Sequence, residues 1–234
     1  MVKRHLKRIS APRTWPLKRK KQVFVKRPFP NGNRMDDSLP LMVVFRDLLK
    51  KVKTARELNY VINNKGIYVN GRKVRSTKDS VGLMDVINIL ETKENFRLLL
   101  NKAGLLSLVK IDESEANLIP LKVKNKTKIR QGKIQINFAN GQNFIVEKDD
   151  YKTGDVLLFD YKNKKTTNHL KLEKGSMVYF TKGSYVGRTA KVEEIKNDSI
   201  VYKRDGETFE VPKVSSKNYT FLVGTKESII KLAD

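Results

Sequence analysis

No aspartate or glutamate occurs before Asp36, whereas twelve basic residues do: Lys3, Arg4, Lys7, Arg8, Arg13, Lys18, Arg19, Lys20, Lys21, Lys26, Arg27 and Arg34. Half of the formal net charge of +24 therefore lies in the first 35 of 234 residues. A segment of this kind repels itself and has too little apolar surface to offset the entropy of ordering, so it is not expected to fold alone. Among the cations stand Trp15, Phe24 and Phe29, with Pro12, Pro16, Pro28 and Pro30. Phosphates attract such a segment through counterion release, and its rings can stack on bases. A solubilising tail or an exposed linker is the plainer alternative, but tails seldom carry Trp and Phe. A membrane surface would also attract the charge, but the Arg and Pro positions follow no amphipathic helical period. The segment reads as an arm for nucleic acid, disordered until it inserts between RNA helices, with Trp15 as an anchor.

The rest of the chain remains basic, and its composition removes many chemistries. There is no cysteine, hence no disulfide, thiolate metal site or cysteine nucleophile. His5 and His169 are too far apart in sequence to suggest a metal pair. The longest uncharged apolar run, Leu39 to Phe45, has seven residues and contains Pro40, against about 20 for a spanning helix. No metal, cofactor, membrane or small-molecule substrate is expected. At 234 residues with 39% hydrophobic content, two or three small domains are the natural organisation.

After Pro40, Leu41, Val44, Phe45, Leu48 and Leu49 fall at helical spacing, with Lys50, Lys51 and Lys53 expected in the last turn. Thr54 and Glu57 form a capping-box pattern for a second helix that points Ala55, Leu58, Val61 and Ile62 inward and ends at Gly66. IYVNGRKVR then reads as a strand and a turn at Asn70-Gly71, and VGLMDVINI as another strand.

TARELNYVINNKGIYVNGRKVR followed by VGLMDVINI resembles the alpha-L RNA-binding domain. That family's order is a capped helix, Gly, a hydrophobic strand, Val-Asn-Gly, a basic strand and a Gly-x-x-Asp-type turn. The resemblance implies an RNA surface over Arg46, Lys50, Lys53, Arg56, Asn59, Lys65, Arg72, Lys73 and Arg75. Asn70-Gly71 as a mere tight turn, with the lysines solvated, is the bland reading.

From Phe96 onward the pattern is β. FRLLLN and LLSLVKI flank Lys102-Ala103-Gly104 as a hairpin, and QINFANGQNFIV brackets a second turn at Asn140-Gly141. In LKVKNKTKIR, Lys122, Lys124, Lys126, Lys128 and Arg130 share one parity, so a regular strand would project all five from one face toward phosphates. A merely solvated face is the alternative, and Asn125 could break the segment and split the row. Asp149, Asp150, Asp155 and Asp160 sit around turns among lysines and read as turn formers and charge balance, not as an acid/base or metal site. In the last segment, Met177 to Phe180 and Ala190 to Ile195 are strands around a glycine-rich loop, with another turn at Asp205-Gly206. Lys182, Gly183, Gly187 and Arg188 there resemble the KOW motif, which implies a sharp backbone turn and close approach to RNA or protein; an ordinary glycine hairpin is the alternative. The loop lacks the Gly-Lys-Ser/Thr of a nucleotide site.

HLKRISAPRTWPLKRK, KRPFP, SLPLMVVFRDLLK, MDVINILETKENFRLLL and GSYVGRTAKVEEI, in this order, resemble the e-type fourth protein family of the small ribosomal subunit (S4e), over about residues 3 to 226. Two departures are Asn31-Gly32-Asn33 in place of the family's Gly-Pro-His, and an ending at Asp234 without a basic extension, which points to an archaeal-type or shortened lineage. The resemblance implies an α+β multidomain chain: a basic arm (1–38), an alpha-L domain of two helices and a small sheet (39–95), a central β domain (96–174), a KOW-type SH3-like barrel (175–226) and a tail (227–234). It also implies a structural, non-enzymatic constituent of the cytoplasmic small ribosomal subunit, partnered by its RNA and neighbouring proteins. The alternatives are a stand-alone translation or transcription factor that binds RNA transiently, and an RNA-modifying enzyme, for which no catalytic domain is present. A DNA-binding protein survives on charge alone, without a recognition helix.

Overall fold

Punctuation by Pro40, Thr54, Gly66 and Asn70-Gly71 divides the first hundred residues into short elements, and these assemble as follows. The structure, a computed structural model, describes residues 5–20, 22–147, 149–204, 206–225 and 227–232. Lys3, Arg4, Lys21 and Asp205 of the expected Asp205-Gly206 turn lie outside the described residues. Two compact units result: one built from residues up to Leu100 together with Leu105–Asn117, the other from Leu118 onward together with Asn101–Gly104.

In the first unit, β1 (Leu6–Lys7) pairs antiparallel with β2 (Phe24–Val25), and β3 (Ser38–Pro40) leads into α1 (Leu41–Val43). This helix widens into a π-helical turn, Val44–Leu48, in which Leu49 N–H reaches Val44 O at 2.9 Å. Lys50 then adopts φ 55°, a left-handed conformation that stops the helix. The lysines expected in its last turn therefore follow the helix. Next, α2 (Ala55–Lys65) opens on the expected capping box: Thr54 Oγ1 accepts Glu57 N–H at 3.3 Å and Glu57 Oε2 accepts Thr54 N–H at 3.4 Å. Leu58 and Ile62 are buried, whereas Ala55 and Val61 are half-buried.

The hairpin of β4 (Ile67–Val69) and β5 (Arg72–Lys73) turns on Asn70 (φ 52°) and Gly71 (φ 71°), the pair of positive angles that a two-residue hairpin matching strand twist requires. After β6 (Ser80–Gly82), which pairs with β3, come β7 (Val86–Ile89), β8 (Glu94–Leu100) and β9 (Leu106–Ile111), in a sheet of order β5-β4-β7-β8-β9. The expected boundary between residues 95 and 96 therefore falls inside β8. That strand hydrogen-bonds to β7 with Val86 opposite Arg97, and its Phe96, Leu98, Leu99 and Leu100 are buried in the first unit's core. An apolar strand of this kind cannot be left at a domain edge without exposing its surface.

The second unit holds β10 (Leu118–Lys128), β11 (Ile134–Phe138), β12 (Asn143–Val146), β13 (Val156–Asp160) and β14 (Lys165–Leu170), in the order β12-β11-β10-β13-β14. It continues with β15 (Met177–Phe180), β16 (Thr189–Ile195), β17 (Ser199–Arg204), β18 (Glu207–Pro212), α3 (Lys213–Tyr219) and β19 (Thr220–Gly224), giving a sheet of order β18-β17-β16-β15-β19. Because β19 also contacts β10, β13 and β14, the expected central and C-terminal β domains form one compact unit. The chain is mixed α+β, predominantly β. Among the described residues no helix is long and apolar enough to cross a membrane.

Candidate nucleic-acid interface

The described part of the basic arm is folded into the first unit, contrary to the expectation of a segment ordered only by RNA. Trp15 is 1% exposed and donates its Nε1–H to Met35 O at 3.2 Å. Thr14 O accepts Leu106 N–H at 2.8 Å, and Phe29 N–H donates to Lys78 O at 2.9 Å. Arg19 acts as a clasp, donating to the carbonyls of Ile9, Ala11 and Pro12 at 3.1, 2.8 and 2.8 Å. Arg8 is buried, with Nη2 at 3.5 Å from Asp47 Oδ1, and Asp47 Oδ2 accepts from Arg46 Nη2 at 2.9 Å. Self-repulsion, on which the expectation rested, is thus relieved by an acid farther along the chain, Asp47, and by backbone carbonyls of the arm itself. Trp15, Arg8 and Arg19 serve the fold, while Lys7, Arg13, Lys18, Lys20, Arg27 and Arg34 are exposed and Lys26 is half-buried.

On the rest of this unit, Lys50, Lys53, Arg56 and Asn59 are exposed, and so are Arg72, Lys73 and Arg75 on and after the edge strand β5. Arg46 is engaged by Asp47, and Lys65 pairs with Glu91, which raises the pKa of its ammonium. Tyr60, 61% exposed and one turn beyond Arg56 on α2, was not singled out in the sequence; its position off the apolar stripe was the available signal. Phe24, 53% exposed, stands edge-on to His5 at 5.4 Å between ring centroids. Asn70 and buried Asp85, from the Val-Asn-Gly and Gly-x-x-Asp elements, bond to each other at 2.8 Å, so those residues secure the fold and do not face outward.

In the second unit the expected row of five cations is split. The pairing of β10 with β11 shifts between Val123 and Asn125, a β-bulge that inserts one residue and reverses the side-chain alternation beyond it. Before the bulge, Lys122 lies opposite to the face of Leu121 and Val123; after it, Lys126 and Lys128 pair with Ile136 and Ile134 on the latter face. Lys122 turns inward and donates Nζ to Thr220 O, and burial lowers its pKa to about 8. Lys126 pairs with Asp149, while Lys124, Lys128 and Arg130 are exposed. As turn formers, Asp160 accepts from Lys162 N–H at 2.8 Å, and Asp155 from Lys152 N–H at 2.9 Å; Asp155 also contacts His169 Nε2 at 2.8 Å.

The glycine loop divides likewise. Gly183 is exposed, with open space where a Cβ would stand, whereas Gly187 is buried and a Cβ on it would lie 2.3 Å from Asn101 O. The close approach at Gly187 is therefore made by the chain's own backbone. Lys182 and Arg188 flank this loop and are half-buried. Among the described residues no group of three or more metal-ligating side chains occurs.

The family model described as Ribosomal family S4e matches residues 92–166, and the RS4NT (NUC023) domain matches residues 2–30. The protein named small ribosomal subunit protein eS4 from Methanocaldococcus jannaschii is 38% identical over 244 aligned positions, covering 98% of each chain. Its counterpart from Korarchaeum cryptofilum is 36% identical, covering 98% of this chain and 97% of the relative. The chain belongs to the S4e family of ribosomal proteins. The crystal structure of 30S ribosomal protein S4e from Thermoplasma acidophilum superimposes with a TM-score of 0.70 at 30% identity, covering 83% of this chain and 100% of that one. In this S4e chain the RS4NT match covers the arm that packs around Trp15, and the other match runs from the turn before β8 into β14.

Proposed function

We propose that this chain is a structural constituent of the small ribosomal subunit, holding its RNA by charge and shape and performing no catalysis of its own. The observation that carries the reading is full-length similarity to eS4 proteins at 36–38% identity. The placement of cations supports it: after internal pairs are set aside, exposed lysines and arginines remain along the arm, α2, β5 and the β10 region. The α2–β4–β5–β7 segment is read as the alpha-L-type element and the β15–β19 sheet as the KOW-type barrel. Phosphate neutralisation by a surface of this kind sets affinity and orientation, and base sequence enters little. The partners are small-subunit RNA and adjacent ribosomal proteins, and the location is the ribosome in the cytoplasm.

Titration of the purified chain against protein-free small-subunit RNA over a range of salt tests this reading. Affinity should fall linearly in log–log form, with a slope of about 0.7–0.9 per phosphate contact and several contacts in total. Salt-independent binding would contradict it.

A further inference from the structure

Beyond the bulge in β10, three strands leave one face open whose chemistry differs from the rest of this lysine-rich surface. Register places Asn125 opposite Asn137 and Asn137 opposite Asn143; the next row sets Thr127 opposite Gln135 and Gln135 opposite Ile145. Directly opposed residues share a face, so these six side chains form a two-row grid. The other face of the same strands carries the buried Ile134, Ile136 and Phe138.

Asn125, Thr127 and Asn143 are exposed, Gln135 and Asn137 half-buried, and Ile145 is 63% exposed. The centre of the grid is pre-oriented: Gln135 Nε2 donates to Asn137 Oδ1 at 2.7 Å, and Asn137 Nδ2 donates to Thr127 Oγ1 at 3.2 Å. The outer amides of Asn125 and Asn143 have no side-chain partner among the described residues. Phosphate recognition calls for cations, and the core of a protein interface is enriched in aromatic residues, Met and Arg, none of which stands in this grid. Neutral amides and a hydroxyl, which both donate and accept, instead match a shallow surface of closely mixed donors and acceptors.

The minor groove of A-form RNA is such a surface, wide and shallow, displaying 2′-hydroxyls and base edges. The surrounding charge agrees: Lys124, Lys128 and Arg130 are exposed and Lys133 is half-buried, against the exposed acids Glu147, Asp149 and Asp150 past β12, of which Asp149 is paired with Lys126. We propose that the Asn125–Asn137–Asn143 face docks in the minor groove of a small-subunit RNA helix, its amides bonding 2′-hydroxyls and base edges while Ile145 rests on the sugars. The proposal rests on the RNA-binding reading above and adds to it the groove and the chemistry of contact.

Because the chain has no cysteine, Asn143→Cys supplies a unique attachment point for an iron–EDTA tether on an exposed edge-strand side chain. In small subunits assembled with this variant as the sole copy, the tether is expected to cleave both strands of one RNA helix across its minor groove. Stoichiometric incorporation without RNA cleavage above that seen with the cysteine-free chain would overturn the docking proposal and leave the ribosomal reading standing. Failure of the native sequence itself to incorporate would remove both. In parallel, Asn125→Ala with Asn143→Ala is expected to weaken binding to protein-free small-subunit RNA about tenfold with the salt slope unchanged, since each lost neutral hydrogen bond contributes modestly and no phosphate contact is removed. Unchanged affinity, or a changed slope, would contradict the proposal.

Discussion

Asn70 Nδ2 donates to Asp85 Oδ1 at 2.8 Å, while Asn70 Oδ1 accepts Val86 N–H at 2.9 Å; one amide thereby ties the β4–β5 hairpin to the start of β7. Asp85 is buried, which raises its pKa, and the bonds from Asn70 and from Gly82 N–H oppose that shift. Asn70→Ala leaves a buried carboxylate with one donor fewer and is expected to cost about 2–3 kcal/mol of first-unit stability. The Asn70–Asp85 bond favours the ionised form, so its contribution is present above the carboxylate's pKa and lost below it. The gap between native and variant should narrow as pH falls through that range. Urea titrations followed by Trp15, the chain's one tryptophan, check both statements.

Trp15 itself distinguishes an arm folded in advance from one ordered by RNA. With Trp15 1% exposed, emission from the free protein should be blue-shifted and shielded from quenchers, and adding RNA should change it little. Trp15→Ala is expected to cost about 3–5 kcal/mol, as removal of a buried large aromatic does. A quencher-accessible Trp15 in the free protein would contradict the observed packing.

How much of this was legible in the sequence follows from the range of each interaction. The Thr54–Glu57 capping box and the Asn70-Gly71 and Asn140-Gly141 hairpins depend on residues within a few positions and stand as read. The cation row failed because one inserted residue between Val123 and Asn125 reverses parity, and Asn125 was its one local sign. Trp15 was misread because its partner, Met35 O, lies 20 residues away, and charge density alone does not show that Asp47 and backbone carbonyls absorb Arg8 and Arg19. The expected 95/96 boundary failed for the same reason: β8 reads as β, but nothing local tells which sheet it joins.

Lys122 gives a pH dependence of known sign. Its folded pKa of about 8 lies below its ordinary 10.5, so between these values the folded chain binds fewer protons than the unfolded one. Stability of the second unit should therefore rise with pH through this window, from a penalty fully present below it. Lys122→Met should be the more stable protein near neutral pH by about 1–3 kcal/mol, part of the gain being offset by loss of the bond to Thr220 O. The advantage should shrink toward about pH 10. Circular dichroism melts at both pH values measure it, and an equal gap would contradict the burial of this ammonium.

Two glycines of one loop should respond differently. Gly183→Ala introduces a side chain at φ 85° into open space and is expected to cost about 1–2 kcal/mol. Gly187→Ala adds, at φ 72°, a Cβ only 2.3 Å from Asn101 O, so its cost should exceed about 3 kcal/mol. Comparing the two variants by denaturant midpoint checks the order; equal losses would show that the Gly187–Asn101 approach is absent.

The central claim, that this S4e chain is a fixed part of the small subunit, is tested most directly by sedimenting the endogenous protein through sucrose gradients in high salt and quantifying it against small-subunit RNA. The account predicts retention near one copy per small subunit. Release to the top fractions at moderate salt would contradict it and identify a transiently bound factor.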